Sequence, residues 1–329
     1  MRTPLRPFRV VALSLCLALP LLAACGSSGS SGGSSTGTTT PGAANSVASK
    51  LVLGAGPTCP TRPYCLIGLK NKYGLTFKSV KSLDEGGPLT VAALSNNSVQ
   101  VALIFTTDGI IKDKGWVLLQ DDKVLQPADN VTPVLNDKIT AAYGSQLTNL
   151  VNAVTAKITT EGLTDLNKQT GIDKKDSDDV AQQWLDDNGF KVVNRAAKTG
   201  PKIVVGSGDF GETITLANIY ADWLERNGYP VSKKLDIGSR EIYFPLLKKG
   251  DLGLIPEYAG TLLTYLKSPQ PATTDPATNA RNLATVLAPL KLTALNYSKA
   301  QDINGFVVTK ATADKYGLEK ISDLAKPAS

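Results

Sequence analysis

Short apolar runs alternate with helical periodicity over residues 202–265. The predicted elements are, in order, a strand at 203–205, a helix at 216–224, a strand at 234–237, a helix at 244–248 and a strand at 252–255. This order is typical of a parallel sheet, whose ligands bind outside the carboxyl ends of the strands. We therefore expect the loops at 206–212 and 256–261 to be binding loops.

The first part of the chain, residues 50–109, repeats this pattern. Leu51-Val52-Leu53-Gly54 corresponds to Ile203-Val204-Val205-Gly206, and each repeat ends its third strand at an aromatic residue, Phe105 and Tyr258. The repeat predicts two α/β lobes around a cleft with an aromatic side chain on either wall. The alternative is a chance likeness between two generic α/β units.

The remaining segments connect these two units. They are a proline-containing extended connector at 121–134, helices across 143–190, a polar link at 191–200, a loop at 269–276, a helix at 280–288, a connector at 296–304, a strand at 306–308 and a helix at 311–325. The helices of 143–190 carry apolar faces, which we expect to cover the sheet of the second unit.

The N-terminus has the pattern of an export signal. Three arginines precede an apolar run at 10–22 that is too short to span a bilayer, and Leu22-Ala23-Ala24-Cys25 closes it. We interpret residues 1–24 as a bacterial lipoprotein signal and Cys25 as the lipidated residue; an ordinary secretory signal is the alternative. Residues 25–49 are mostly Gly, Ser, Thr and Ala, so we expect a flexible tether. Both interpretations place the protein outside the cytoplasm.

Charge and cysteine content narrow the possible functions. The net charge of +6 includes the three signal arginines, so the exported chain is near +3, which does not favour a nucleic-acid partner. Cys59 and Cys65 are predicted to form a disulfide in an exported protein. The chain has no histidine, which excludes zinc chemistry and Ser-His or Cys-His nucleophiles. We expect no metal or cofactor.

Several segments together resemble the substrate-binding proteins of osmoprotectant importers, which are ABC transporters for glycine betaine, choline and related quaternary ammonium compounds. The segments are Val205 to Glu212, Gly238 to Glu241, Pro256 to Thr261, Lys72 to Leu75 and Thr107 to Gly109. The resemblance implies an α/β, two-lobed, periplasmic-binding-protein-like fold of type II with two interlobe crossings. Lobe B would comprise residues 50–120 and 305–329, and lobe A residues 128–302.

The order of the segments differs from that of the family. The family begins with the part that resembles 202–325 and continues with the part that resembles 50–190. Joining residue 329 to residue 50 restores the family order, so the chain resembles a circular permutant whose old termini are fused through 191–200. A scrambled gene is the alternative.

The resemblance also implies ligand-binding residues. The family holds a quaternary ammonium group in a cage of tyrosines, because such a group donates no conventional hydrogen bond. Residues carried over to this cleft are Tyr258, Thr261, Phe105, Asn304, Asp129 with its neighbour Asn130, Asp302 and Arg62. Arg62 matches an arginine that contacts the ligand carboxylate or bridges the lobes, and Gly208 replaces a lysine. The balance therefore favours a cationic or polyhydroxylated small ligand at least as readily as glycine betaine, and choline would suit.

Each of these residues also has a purely structural interpretation. Tyr258 and Phe105 are alternatively core aromatics, and Asp129 and Asp302 turn residues. A contact at a helix start is expected for Arg240 and Glu241, and Asp108 is expected to cap the following helix.

The leading functional hypothesis is a lipid-anchored receptor that closes its lobes around a small osmoprotectant. It would deliver this solute to a membrane permease with a cytoplasmic ATPase. A solute-sensing lipoprotein outside any transporter is one alternative. An enzyme is another, which the absence of histidine and of a nucleophile motif disfavours.

Overall fold

The computed structural model describes residues 45–84, 86–191 and 197–328, and these residues form an α/β fold. The strands are β1 (Val52–Ala55), β2 (Ser79–Ser82), β3 (Val101–Phe105), β4 (Val117–Leu119), β5 (Val131–Asn136), β6 (Ile203–Gly206), β7 (Val231–Lys234), β8 (Leu254–Tyr258), β9 (Leu292–Ala294) and β10 (Asn304–Val308). The α-helices are α1 (Leu66–Tyr73), α2 (Pro88–Ser95), α3 (Ile110–Asp113), α4 (Asp137–Thr155), α5 (Thr160–Asn167), α6 (Ser177–Asp187), α7 (Gly211–Arg226), α8 (Arg240–Lys249), α9 (Ala259–Tyr265), α10 (Pro276–Leu287) and α11 (Lys310–Tyr316).

Two five-stranded sheets have the same internal order. Sheet I runs β2-β1-β3-β10-β4, and sheet II runs β7-β6-β8-β5-β9. In each sheet the first three strands are parallel, and the fourth is antiparallel to the third. The repeat predicted from the sequence is therefore present in the topology, and the fold has the two α/β units that the sequence predicts.

The described chain passes between the two sheets twice, once between β4 and β5 and once between β9 and β10. The two crossing segments pair with each other through an antiparallel bridge between Asn130 and Gln301. On either side of the bridge, Val131 N donates to Ala300 O at 3.3 Å and Asp302 N donates to Asp129 O at 3.2 Å. The crossings therefore form one short two-stranded connection between the sheets.

Each sheet has its own apolar core. Leu53, Leu69 and Phe306 are almost fully buried around sheet I, and the long helix α7 is buried against sheet II along most of its length. Burying one such aliphatic or aromatic side chain contributes about 1.5–3 kcal/mol, so these cores are the main stabilising contribution. No helix in the described part of the chain is long and apolar enough to cross a membrane.

Three predicted segments differ from the structure. Strand β7 ends at Lys234, which is the first residue of the strand predicted at 234–237. Asp236 adopts a left-handed φ of 53°, which is incompatible with continuing the strand. Residues 131–134, predicted as part of a connector, belong to β5, where Pro133 lies opposite Pro256 and its carbonyl accepts from Leu295 N. The predicted loop at 256–261 is the end of β8 followed directly by α9.

The predicted helix at 311–325 is two elements. Helix α11 ends at Gly317, whose φ of 60° closes it, and a 3₁₀ turn follows at Ile321–Ala325. Glycine is suited to this position because it has no Cβ to strain the left-handed backbone.

The predicted flexible tether, residues 25–49, includes residues that are folded in the structure. Val47 is only 2% exposed and belongs to the core around sheet I, and its N–H donates to Lys326 O at 2.9 Å. Ser46 pairs with Pro327 in an antiparallel bridge. The folded domain therefore includes residues 45–49, since burial of Val47 fixes this segment. The predicted signal, the lipidated Cys25 and the rest of the predicted tether lie outside the described residues.

Candidate functional site

A cavity of about 70 Å³ brings together residues from both sheets and from the crossing segments. Its walls are formed by Arg62, Phe105, Asp129, Gly208, Asp209, Phe210, Ser239, Arg240, Tyr243, Tyr258, Thr261, Asp302 and Asn304. Seven of the eight residues predicted to bind ligand are among them; Asn130 is not. The site lies at the carboxyl ends of β3, β6 and β8, where the sequence places it.

Three aromatic rings form a row along the cavity. Phe105 ends β3 of sheet I, Tyr258 ends β8 of sheet II, and Phe210 precedes α7 between them. The ring centroids of Phe105 and Phe210 are 5.3 Å apart, and those of Phe210 and Tyr258 are 6.0 Å apart. Phe210 was not assigned a role from the sequence, although it lies in the predicted binding loop after β6. The row can provide aromatic faces to a cation.

Asp129 and Asp302 lie directly opposite each other on the two crossing segments, next to the bridge between Asn130 and Gln301. Opposed residues of an antiparallel pair have side chains on the same face with Cβ atoms about 4.5–5.5 Å apart. Successive residues alternate between faces, so Asn130 lies on the other face. There its Nδ2 donates to Ser298 O at 3.0 Å.

Both carboxylates are buried, Asp129 being 3% exposed and Asp302 4%. Oδ1 of Asp129 accepts from the backbone N–H groups of Gly260 and Thr261, at 2.7 and 3.1 Å. Oδ1 of Asp302 accepts from Thr107 N at 3.3 Å. Among the described residues, the Oδ2 atoms of both carboxylates accept no hydrogen bond. These are the oxygens that remain for a ligand.

Arg240 extends from the start of α8 into the cavity, beyond the helix-start contact expected for it. Its Nη2 lies 2.8 Å from Glu257 Oε2 and donates to Thr261 Oγ1 at 3.0 Å. Tyr243 also donates to Glu257, at 3.0 Å. Burial opposes the charge on Arg240, but Glu257 more than offsets this and raises the pKa of the guanidinium. The positive charge of Arg240 is thus neutralised within the protein.

The predicted disulfide between Cys59 and Cys65 is present, and its loop carries Arg62. Arg62 Nη2 lies 3.7 Å from Glu241 Oε1 of α8, so the contact joins the side of sheet I to the side of sheet II. The two side chains are 34% and 51% exposed. An ion pair this exposed contributes little to stability.

Thr107, Glu212 and Asn167 form a second link between the two sides, which we call the Thr107 latch. Thr107 follows β3 and is fully buried; its Oγ1 donates to Glu212 Oε2 at 2.6 Å. Asn167 Nδ2 donates to the same carboxylate oxygen at 2.6 Å and to Thr107 Oγ1 at 3.1 Å. Tyr258 donates its hydroxyl to the other oxygen of Glu212. The latch therefore connects both sides to the aromatic row.

Burial shifts the acidity of this region. Desolvation raises the pKa of Asp129 to about 7 and, together with repulsion from Glu212, raises that of Asp302 well above its usual range. Desolvation likewise raises the pKa of Glu212. Asp108, whose side chain accepts from Ile110 N at 2.9 Å as expected for a cap, also has a raised pKa because it is buried.

Asn304 completes the wall on the side of β10. Its Nδ2 donates to Tyr64 O at 3.3 Å and to Gln126 Oε1 at 3.4 Å. The described part of the chain contains no group of three or more acidic or cysteine side chains that could hold a metal ion.

A larger cavity, of about 480 Å³, lies elsewhere, beside Gln146, Asn149, Leu150, Lys198 and Tyr229. Its one aromatic ring already faces Lys198 Nζ, which is 5.1 Å from the centroid of Tyr229. The smaller cavity combines four aromatic side chains with two buried carboxylates, and we therefore take it as the candidate site.

Comparison with known proteins identifies the family of the chain. A family profile described as "Substrate binding domain of ABC-type glycine betaine transport system" matches residues 36–187 and 201–329. The carnitine transport binding protein OpuCC of Listeria monocytogenes is 32% identical over 118 residues, 36% of this chain and 37% of that protein. The glycine-betaine-binding protein of Pseudomonas aeruginosa is 28% identical over 131 residues, 39% of this chain and 41% of that protein.

Two further proteins are similar over part or most of the chain. The ergothioneine transport permease/ergothioneine binding protein EgtU of Helicobacter pylori is 29% identical over 119 residues, 36% of this chain and 21% of that protein. The alignments thus span only a minor part of each relative. A phosphate-binding protein from Streptococcus pneumoniae covers 84% of this chain and 94% of its own, at 11% identity and a TM-score of 0.41.

Proposed function

Because this chain belongs to the family of substrate-binding domains of ABC-type glycine betaine transport systems, we propose that it captures a small osmoprotectant with a positively charged head group. Choline is preferred to glycine betaine in this proposal. The protein delivers the solute to an ABC permease served by a cytoplasmic ATPase. It is a binding protein and not an enzyme.

The observation that carries the proposal is the row of Phe105, Phe210 and Tyr258 beside the opposed carboxylates of Asp129 and Asp302. A desolvated cation over an aromatic face gains about 2 kcal/mol. Carnitine, glycine betaine and ergothioneine, which the names of the relatives contain, all carry a trimethylammonium group.

The preference for choline follows from the positively charged side chains around the cavity and their partners. Arg240 is neutralised by Glu257, Arg62 faces Glu241 at the rim, and Gly208 has no side chain. A ligand carboxylate would therefore meet two buried carboxylates without a dedicated positive partner. Choline has the same head group and a neutral hydroxyl in place of that carboxylate.

Capture proceeds by closure of lobe B, residues 50–120 and 305–329, onto lobe A, residues 128–302. The paired crossing segments serve as the hinge, and the Thr107 latch holds the closed form. Residues 1–24 direct export, lipid on Cys25 anchors the protein outside the cell membrane, and the tether spans 25–44.

The chain order is that of a circular permutant. Asn45 and Ala328 are joined by a backbone hydrogen bond of 2.8 Å, so the ends of the described domain are adjacent as a permutation requires. The family match also breaks between residues 187 and 201, at the proposed fusion of the old termini. A gene that places 201–328 before 45–187 should encode a protein that folds and binds the same ligand. An unfolded product would contradict the permutation.

The function is tested by isothermal titration calorimetry of residues 45–329 with choline and with glycine betaine. Phe210 is only half-buried, so Phe210→Ala removes one ring of the row without opening the core. We expect choline binding that is lost or weakened at least about tenfold in Phe210→Ala, which corresponds to about 1.4 kcal/mol. Tyr316→Ala, on α11 away from the cavity, is the matched aromatic control. Binding of glycine betaine but not of choline would overturn the ranking, and no binding of either by folded protein would overturn the function.

A further inference from the structure

Asp129 and Asp302 are unusual because two carboxylates face each other in a buried position with no cation beside them. In the described part of the chain, no lysine or arginine nitrogen lies within 4.0 Å of either carboxylate or of Glu212. Both residues are more than nine-tenths buried, line the cavity, and leave Oδ2 without a hydrogen bond. Two ionised carboxylates in this arrangement repel each other with little solvent screening.

The surrounding charges relieve this repulsion only in part, because Arg240 lowers the pKa of Asp129 whereas Glu212 raises that of Asp302. The ionisable groups that face the pair from neighbouring elements are Arg62, Asp209, Glu212, Arg240, Tyr243, Glu257 and Tyr258. The two arginines are engaged by Glu241 and Glu257. Glu212 adds a third buried acid, and its three donors, Thr107, Asn167 and Tyr258, are all neutral groups. A negative charge on both aspartates is therefore compensated only in part, by Arg240 acting on Asp129, until a cation enters.

We propose that Asp129 and Asp302 form a proton-exchange site for cations, in which the pair holds one proton without ligand and releases it to solvent when a positively charged head group enters. The proposal rests on the proposed function for the identity of the ligand. The total charge of the site stays constant, because one cation replaces one proton. Any small cation that fits the aromatic row fits this scheme, whereas the carboxylate of a zwitterion does not.

The acidity of the pair agrees with this exchange. Burial raises the pKa of Asp129 to about 7 and that of Asp302 well above its ordinary value, so a proton is retained near neutral pH. A cation beside the pair favours the ionised form and lowers both pKa values. Affinity for a cation must therefore rise with pH through the range in which the free pair titrates, because the cation then displaces fewer protons on average.

The first test needs no ligand. Carbon-13 NMR of aspartate carboxyl groups in the ligand-free protein, followed against pH, measures the titration of the pair directly. We expect at least one aspartate to titrate above about pH 6, and this resonance to be absent or strongly shifted in Asp302→Asn. Asp187→Asn, an exposed carboxylate on α6, is the control and should leave it unchanged. Titration of every aspartate below about pH 5 would overturn the proposal.

The second test measures the exchange. Calorimetric titration of choline at neutral pH, in buffers of different ionisation enthalpy, gives the number of protons released per ligand bound. We expect a release of at least about 0.5 proton, reduced to near zero in Asp302→Asn and retained in Asp187→Asn. A smaller release in the wild type would contradict the exchange. If choline does not bind, the proposed function fails, while the NMR titration still decides whether the pair holds a proton.

Discussion

Replacing Thr107 by valine tests the link between lobe closure and ligand binding. The substitution keeps the shape of the side chain but removes its hydroxyl, which donates to Glu212 Oε2 and accepts from Asn167 Nδ2. Thr107 does not line the cavity, so the change removes no ligand contact. Its effect on binding comes through the contact between the two sides of the molecule and through Asp302, whose pKa the Thr107 side chain lowers.

The expected magnitude follows from the two hydrogen bonds. A bond to a charged group contributes about 1.5–3 kcal/mol and a neutral one about 1 kcal/mol, and Glu212 remains buried after the loss. We take about 2 kcal/mol as the free energy by which these two hydrogen bonds stabilise the closed form relative to the open form. If only the closed form binds tightly, the affinity for choline falls about 30-fold, since about 1.4 kcal/mol corresponds to a factor of ten.

The assay is calorimetric titration of Thr107→Val, with urea unfolding of the ligand-free protein in parallel. Thr107→Ser keeps the hydroxyl and should retain most of the affinity. Thr285→Val, an exposed threonine on α10, controls for the loss of a hydroxyl as such. An affinity of Thr107→Val within about twofold of the wild type would refute the role of the latch in closure.

Three further substitutions separate the parts of the site. Tyr258→Phe keeps the ring but loses the donor to Glu212, so choline affinity should fall by less than about tenfold in calorimetry, well short of the loss expected for Phe210→Ala. Arg62→Ala removes an exposed pair and should change the free energy of unfolding by less than about 1 kcal/mol in urea titrations. Asp129→Asn should change how the free energy of unfolding depends on pH. The raised pKa of Asp129 means that the folded wild type is favoured when this carboxyl is protonated. Between about pH 4 and pH 7, the free energy of unfolding of the wild type should therefore fall by up to about 4 kcal/mol relative to the variant. Equal pH dependence of the two proteins would show that Asp129 titrates normally.

The aromatic residues of the site could be predicted from the sequence because the chain repeats itself. Phe105 and Tyr258 end equivalent strands, β3 and β8, and the order of both sheets brings these ends to one cavity. Phe210 and the Thr107 latch were missed because their contacts join distant parts of the chain. Thr107 and Glu212 are 105 residues apart, and no periodicity reports such a pair.

The edges of the sheets were the least predictable elements. Strand β7 lies at the edge of sheet II, and its residues Val231–Lys234 are mostly polar and partly exposed. The apolar Leu235 and Ile237 beyond it gave the stronger signal. Apolar residues in a sequence indicate which positions are buried, but not which positions are hydrogen-bonded to a neighbouring strand. In the same way, Asn130 was grouped with Asp129 because a segment interpreted as coil has no predictable alternation. The pairing of the crossing segments places these neighbours on opposite faces.

A crystal structure of residues 45–329 with choline would locate the bound cation. We expect the quaternary nitrogen within about 6 Å of the ring centroids of Phe105, Phe210 or Tyr258, on the side of Asp129 and Asp302. Choline bound outside this cavity, or bound with its hydroxyl toward the rings and its nitrogen away from the carboxylates, would show that these residues do not form the cation site.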